Sequence, residues 1–274
     1  MITPVLHMGS SPIGHPNPRR RTTIEAAFRS VVQEALARIE TNAHAMRSSR
    51  DPEHLHQLRV GLRRLRSALR AFHSVLGEKE TRRLRRTLGK LSRKLGPARD
   101  WDVLIARLEA SGAPKRLRTK ARVQADEAHA AAQDVIASQK FARALADARS
   151  LAPEESDKPL ADFAAAALAR AHRKLMKEAR GVDWQDPAGR HAVRIRLKRL
   201  RYSCEFFAMA FDPRRSAAYL EALKALQEIL GELNDIAVGR ARLPEFSASA
   251  EEAALVAKLA PAWARFEKRP AFWR

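Results

Sequence analysis

Two stretches decide how this chain is organised: residues 56–66 read HQLRVGLRRLR, and residues 191–201 read HAVRIRLKRLR. They begin 135 residues apart, and the same offset relates matching residues on both sides of them. The pairs at this offset include Asp51 and Asp186, Phe28 and Phe163, Phe72 and Phe207, Gly96 and Gly231, and Asp100 and Asp235. One fixed offset over such a length indicates two copies of a single unit.

Each stretch has the residue spacing of an amphipathic helix. In the first copy, apolar residues recur every three or four positions: Leu58, Leu62, Leu65, Leu69 and Phe72. Beside this seam, one arc of about 80° holds a stripe about 21 Å long, made of His56, Arg59, Arg63, Arg66 and Arg70. The pattern therefore predicts a helix that packs through its apolar seam and presents a row of cations next to it.

The second copy keeps this stripe through four residues: His191, Arg194, Lys198 and Arg201. It differs at one end, because Glu205 stands where the first copy has Arg70. We expect either that this end binds anions more weakly or that Glu205 pairs with a neighbouring base.

The helical periodicity extends over most of the chain, and no segment alternates like a strand. We predict an all-α fold of two tandem four-helix bundles, related by internal duplication and a pseudo-twofold axis. The repeats are expected at 22–151 and 157–274, after a flexible basic arm at 1–21. In the first repeat we expect helices at 22–48, 51–76, 78–95 and 100–151, the last with a break at 111–114. In the second we expect them at 158–180, 187–211, 213–230 and 235–274, the last interrupted at Pro244 and Pro261.

Composition limits the partners and the compartment. The chain has 52 Lys plus Arg against 31 Asp plus Glu, a formal net charge of +21, which favours an anionic partner such as nucleic acid, polyphosphate or an acidic membrane surface. Its one cysteine, Cys204, lies on an apolar seam and can form no intrachain disulfide, so we expect a core position and a reducing cytoplasm. No apolar run is long enough to span a membrane.

A row of like charges without interleaved acids repels itself, and it becomes favourable when an external polyanion neutralises it. A linear chain of phosphates matches such a row, and its binding releases counterions. The alternative is that the row of cations is a solvated surface that binds no ligand. His56 and His191 could likewise be structural residues that contact no ligand. Asp100 and Asp235 are expected to cap the fourth helix of each repeat or to pair with an arginine such as Arg64 or Arg199. No spacing typical of a metal site, a cofactor site or a catalytic site is present.

The two opening stretches, together with LGPARD at 95–100 and LGELND at 230–235, resemble the signatures of the CHAD family, the histidine-containing α-helical domain. The resemblance implies two similar four-helix units around a central basic surface that binds inorganic polyphosphate, and association with polyphosphate granules. It assigns the contacts to His56, Arg59, Arg63, Arg66, His191, Arg194, Lys198 and Arg201. The charge pattern adds Arg70, Arg83, Arg86, Lys90, Arg93, Lys94, Arg170 and Lys174.

The expected activity is non-catalytic binding of long-chain polyphosphate, with no cofactor and no metal. Some relatives carry a triphosphate tunnel domain with alternating Glu and Lys on strands, and no such segment is present here, which argues against hydrolysis. Nucleic-acid binding is the second hypothesis, disfavoured because few aromatic residues lie among the cations to stack bases. A phosphatase or kinase acting on polyphosphate is the third.

Overall fold

The computed structural model describes residues 22–274, and within them the prediction of an all-α fold is confirmed. The α-helices are α1 (Ile24–Ala45), α2 (Pro52–Ala71), α3 (Glu78–Lys94), α4 (Gly96–Ala110), α5 (Lys115–Ala137), α6 (Gln139–Ser150), α7 (Leu160–Ala179), α8 (Pro187–Phe207), α9 (Pro213–Arg242) and α10 (Ser249–Glu267). Short 3₁₀ turns follow α2 and α8, at His73–Val75 and Ala208–Ala210. The predicted arm at 1–21 lies outside the described residues.

The two basic helices α2 and α8 begin in the same way. Asp51 caps α2 by accepting a hydrogen bond from the Glu53 amide at 2.8 Å, and Asp186 caps α8 by accepting one from the Gly189 amide at 2.8 Å. A proline follows each cap, where its missing N–H and fixed φ suit the first turn. The matched Asp-Pro pairs therefore fix the start of both stripes.

Three features of the helices differ from the prediction, and the first is that α10 continues through Pro261, where an interruption was expected. The segment 100–151 forms three helices, because Ser138 adopts an extended backbone and caps α6 by accepting from the Phe141 amide at 3.2 Å. α9 continues through Gly231, where a break was predicted. Only the first copy places a proline after its glycine, and Pro97, which lacks an N–H and whose ring clashes with the preceding turn, favours a break between α3 and α4.

α2 packs on α1, α8 packs on α7, and α2 and α8 contact each other where the two halves of the chain meet. Beneath this contact lie four phenylalanines from positions paired at the 135-residue offset: Phe28, Phe72, Phe163 and Phe207. The ring centroids of Phe72 and Phe207 are 5.0 Å apart, and those of Phe72 and Phe163 are 5.6 Å apart. The duplication remains an interpretation of the sequence, and matched residues from the two halves meet in one core.

The backbones of α1 and α2 approach closely at Gly61. A β-carbon at this position would lie 2.6 Å from Ile39 Cγ1, closer than a side chain tolerates. Leu58, Leu62 and Leu65 are fully buried, as the apolar seam predicts. Cys204 is also buried in the core, as expected. With its seam held in this way, α2 turns its basic stripe away from α1 and towards α8 and α3.

Candidate functional site

Cations from both halves meet where α2 crosses α8. Arg63 of α2 donates from Nε to the Tyr202 hydroxyl of α8 at 2.7 Å, and its guanidinium carbon lies 5.6 Å from the centroid of that ring. The guanidinium carbon of Arg201 lies 4.7 Å from the same centroid. The charge of Arg63 also acts on Arg194 and Lys198. We call Arg63, Arg194, Lys198 and Arg201 the crossing cluster.

Lys198 is the most perturbed cation of the crossing cluster. Burial, reinforced by the positive charges of Arg194 and Arg63, lowers its pKa to about 6. Asp235 opposes this shift without reversing it. Among residues 22–274, no carboxylate forms an ion pair with Lys198, so a bound anion would favour its charged form and raise its pKa.

The matched residues Arg59 and Arg194 are held differently. Arg59 donates to the Ser92 carbonyl at 2.9 Å, one of the carbonyls left open at the end of α3. The equivalent helix in the second half, α9, does not end there, so its carbonyls stay in the helix. Arg194 accordingly keeps a buried Nε without a hydrogen-bond partner in the described chain. Burial lowers the pKa of both guanidinium groups.

The two histidines lie in different surroundings. His56 is half-buried, and its burial, with the charge of Arg99 next in importance, lowers its pKa. His191 is exposed, and its Nδ1 lies 3.1 Å from the side-chain oxygen of Asn234. Neutral imidazole at His56 can donate one hydrogen bond to a phosphate oxygen but brings no charge at pH 7.

On one side of the crossing, charges are paired. Arg64 lies 2.8 Å from Glu205 and 3.1 Å from Glu34 in two ion pairs. Arg201 also pairs with Glu205 and donates from Nε to Gln227 at 2.7 Å. We call Arg64, Arg201, Glu205 and Glu34 the paired flank. The expectation that Glu205 pairs with a neighbouring base is confirmed.

On the other side, the positions matched to Arg64, Arg201 and Glu205 carry Arg199, Arg66 and Arg70. Arg66 and Arg70 of α2, Arg85 of α3 and Arg199 of α8 are each half-buried, and within residues 22–274 none of them forms an ion pair. We call these four residues the arginine flank. Burial, followed by the charges of Arg199 and Arg85, lowers the pKa of Arg70 to about 9. Arg199 is affected by Arg66 and Arg85 in the same direction, after its burial and Arg196.

Arg85 and Arg199 were not among the predicted site residues. On α3, Arg85 lies on the same face as Gly89 and about 100° from Arg86. This difference in helical position was the signal in the sequence that separated Arg85 from the outer cations of that helix. A β-carbon at Gly89 would lie only 3.3 Å from Arg66 Nη2, and the glycine thus leaves room for this guanidinium against α3. Arg199 was expected to pair with an aspartate, and its place beside Arg70 depends on the crossing of two helices distant in sequence.

The cations predicted on α3 and α7 fall into separate groups. Arg83, Arg86 and Lys90 line a cleft of about 610 Å³ with Lys140 of α6, away from the crossing. Arg93 and Lys94 line a second cleft between α3 and α5. The charges of Arg170 and Lys174 act on His73, as does that of Arg85. The two α7 residues therefore border the arginine flank.

The expected capping by the two aspartates is wrong, because Asp100 and Asp235 lie inside α4 and α9. Asp100 instead accepts a hydrogen bond from Arg242 at 3.0 Å. It also acts on Arg59 and Arg194, and Asp235 acts on Arg194. The alternative expectation, that these aspartates pair with an arginine, is confirmed for Asp100, although its partner is Arg242 and not Arg64 or Arg199. Both aspartates partly neutralise Arg194 of the crossing cluster.

Within residues 22–274, no three His, Cys, Asp or Glu side chains come together in an arrangement that would hold a metal ion. In the same range, no helix has both the length and the apolar character required to cross a bilayer.

Comparison with known proteins places this geometry in context. The model of the CHAD domain family matches residues 30–244. The crystal structure of the CHAD domain from the plant Ricinus communis is similar at 31% identity and a TM-score of 0.68, covering 95% of this chain and 94% of that one. PptA from Streptomyces chartreusis shares the fold at 18% identity and a TM-score of 0.60, covering 89% of this chain and 97% of its own. No curated protein matched significantly.

Proposed function

This chain belongs to the CHAD domain family, and on that premise we propose that it binds inorganic polyphosphate without catalysing a reaction on it. The observation that carries the proposal is the crossing cluster, in which Arg63 of the first half meets Arg194 and Lys198 of the second. Cations drawn from both halves suit a linear ligand that passes over the boundary between them.

The energetics support a polyanion as the ligand. Half-buried cations without acidic partners lower the stability of the free protein, and a chain of phosphates that neutralises several of them at once restores it. Each phosphate contact also releases condensed counterions, as for other polyanions. A single small anion would neutralise only part of the surface, which favours long chains over short ones.

Nucleic acid is a less suitable ligand because the cluster offers no aromatic face. Tyr202 is the aromatic residue of the crossing, and it is 1% exposed, with Arg63 and Arg201 over its ring. Binding of single strands usually depends on stacking of bases on exposed aromatic rings. Association with polyphosphate granules and a cytoplasmic location belong to the same proposal.

A competition assay tests the function. Labelled long-chain polyphosphate is bound to the full chain at physiological salt and challenged with unlabelled polyphosphate, duplex DNA and single-stranded RNA. We expect polyphosphate to compete at far lower phosphate concentration than either nucleic acid. Equal competition by DNA would overturn the proposal, and release of phosphate in the presence of magnesium or manganese would overturn its non-catalytic part.

A further inference from the structure

The arginine flank consists only of cations, as an anion-binding site requires, whereas the paired flank contains two glutamates. Its four guanidinium groups come from three helices: α2 supplies Arg66 and Arg70, α3 supplies Arg85, and α8 supplies Arg199. All are half-buried, and Glu178, the one acid whose charge acts on Arg199, is bonded to Arg196 at 2.7 Å. Four cations held close together without an acid repel one another, and a bound anion relieves this repulsion.

At the matched positions of the paired flank, an acid neutralises the positive charge. At the 135-residue offset, Arg70 corresponds to Glu205, Arg199 to Arg64, and Arg85 to Leu220. Glu205 bonds Arg64 at 2.8 Å, whereas at the equivalent positions the positive charge of Arg199 acts on Arg70. The first half thus places a cation where the second half places the neutralising acid.

The arginine flank also adjoins the crossing cluster. Arg63 and Arg66 are neighbours on one face of α2, about 4.5 Å apart along the helix axis. Arg63 contacts Tyr202 at the crossing, and the charge of Arg66 acts on Arg199 in the flank. A chain of phosphates over the crossing therefore has a cationic continuation on this side and an ion-paired surface on the other.

We propose that Arg66, Arg70, Arg85 and Arg199 form an asymmetric phosphoryl-binding subsite that anchors the polyanion on one flank of the crossing. This subsite rests on the proposed function and assigns two residues, Arg85 and Arg199, beyond the basic stripes. Guanidinium forks bind phosphoryl oxygens in pairs, so four of them around one place suit a short run of adjacent phosphoryl groups. The bound chain then leaves the crossing in one direction.

The variant Arg70→Glu tests the subsite, because it installs the residue that the second half carries at the matched position. It gives Arg199 an acidic partner, as Glu205 does for Arg64, and we therefore expect it to fold with an unfolding temperature no lower than that of the native chain. Arg199→Glu gives Arg70 the same partner from the opposite side. Lys258→Glu, at an exposed position of α10, is the control with an equal change of charge.

Binding of polyphosphate of defined length is measured by calorimetry on the full chain. We expect Arg70→Glu and Arg199→Glu to weaken binding by about tenfold or more, and Lys258→Glu by about twofold or less. Equal losses in all three variants would overturn the subsite while leaving the proposed function intact.

A second readout separates the two proposals. If the native chain did not bind polyphosphate, the proposed function would fail, but the subsite would still predict a response to a small anion. Tripolyphosphate should then raise the unfolding temperature of the native chain and of Lys258→Glu more than that of Arg70→Glu. The same rise in all three proteins would overturn the subsite.

Discussion

On one side of the crossing between α2 and α8, Arg64 faces Glu205 at 2.8 Å, and on the other side the matched positions are Arg199 and Arg70. Glu205 stands on one side where Arg70 stands on the other, so that one side has an ion pair and on the other side the positive charge of Arg199 acts on Arg70. The comparison teaches that matched positions in the two halves can hold a neutralising acid in one half and an uncompensated cation in the other.

The largest effect should come from removing the acid of the paired flank. Glu205→Ala leaves Arg64 with Glu34 alone and Arg201 with Gln227 alone. We expect the free energy of unfolding to fall by about 2 kcal/mol, because two half-buried cations lose a charged partner. Urea denaturation measures it. Unchanged stability would mean that the two flanks are electrostatically equivalent.

The next effect concerns protons at the crossing cluster. The pKa of Lys198 is about 6 in the free protein, and a bound polyanion should raise it towards the ordinary value near 10 for lysine. Between pH 7 and 8 the free side chain is mostly neutral and the bound one charged, so binding takes up a proton. Affinity should therefore fall by up to about tenfold per pH unit as pH rises.

Calorimetry in buffers of different ionisation enthalpy measures this proton uptake. Lys198→Met removes the titrating group and should flatten the pH dependence. A slope that persists in this variant would assign the proton to another residue. His56, whose pKa is lowered by burial, is the other group on the first stripe whose protonation could change when a polyanion binds.

The positions and ends of the helices could largely be predicted from the sequence, whereas the contacts between helices could not. The spacing of Leu58, Leu62 and Leu65 predicted the buried seam of α2, and Asp-Pro predicted where α2 and α8 begin. Gly231 did not end its helix, because the apolar spacing of Leu230 and Leu233 continues across it and no proline follows. A glycine alone is tolerated within a helix when tertiary packing supports it.

The site was predictable as two stripes but not as two flanks. Arg64 and Glu205 are 141 residues apart, and Arg59 finds its acceptor in a backbone carbonyl of α3. Such contacts depend on how helices cross, which the periodicity of a single helix does not specify. The difference between Arg70 and Glu205 is visible in the sequence. The residues that lie next to each of them are known only from the way α2 and α8 cross in the structure.

A smaller effect should separate Arg59 from Arg194. Arg59→Ala removes the bond to the Ser92 carbonyl and should lower the free energy of unfolding by about 1 kcal/mol. Arg194→Ala removes a buried group that lacks a partner at Nε, and it should lower stability less while weakening polyphosphate binding more. Denaturation and calorimetry on both variants check this. If Arg59→Ala weakened polyphosphate binding more than Arg194→Ala did, the ligand would lie mainly on the first stripe.

The smallest effect should be seen in the free protein at the arginine flank. Arg70→Met keeps the aliphatic length of the side chain and removes one of four like charges. We expect the free energy of unfolding to rise by about 0.5 kcal/mol, because the repulsion with Arg199 and Arg85 is relieved. Thermal unfolding at low salt measures the gain, and the gain should shrink at high salt. A loss of stability would show that Arg70 has a structural partner.

The central claim is that cations of both halves bind one extended polyanion. Its most direct test is a calorimetric titration of the full chain with long-chain polyphosphate and with tripolyphosphate at several salt concentrations. The account predicts that the long chain binds about a hundredfold more tightly and with a steeper dependence on salt, since it releases more counterions. Equal affinity and equal salt dependence for both ligands would contradict it.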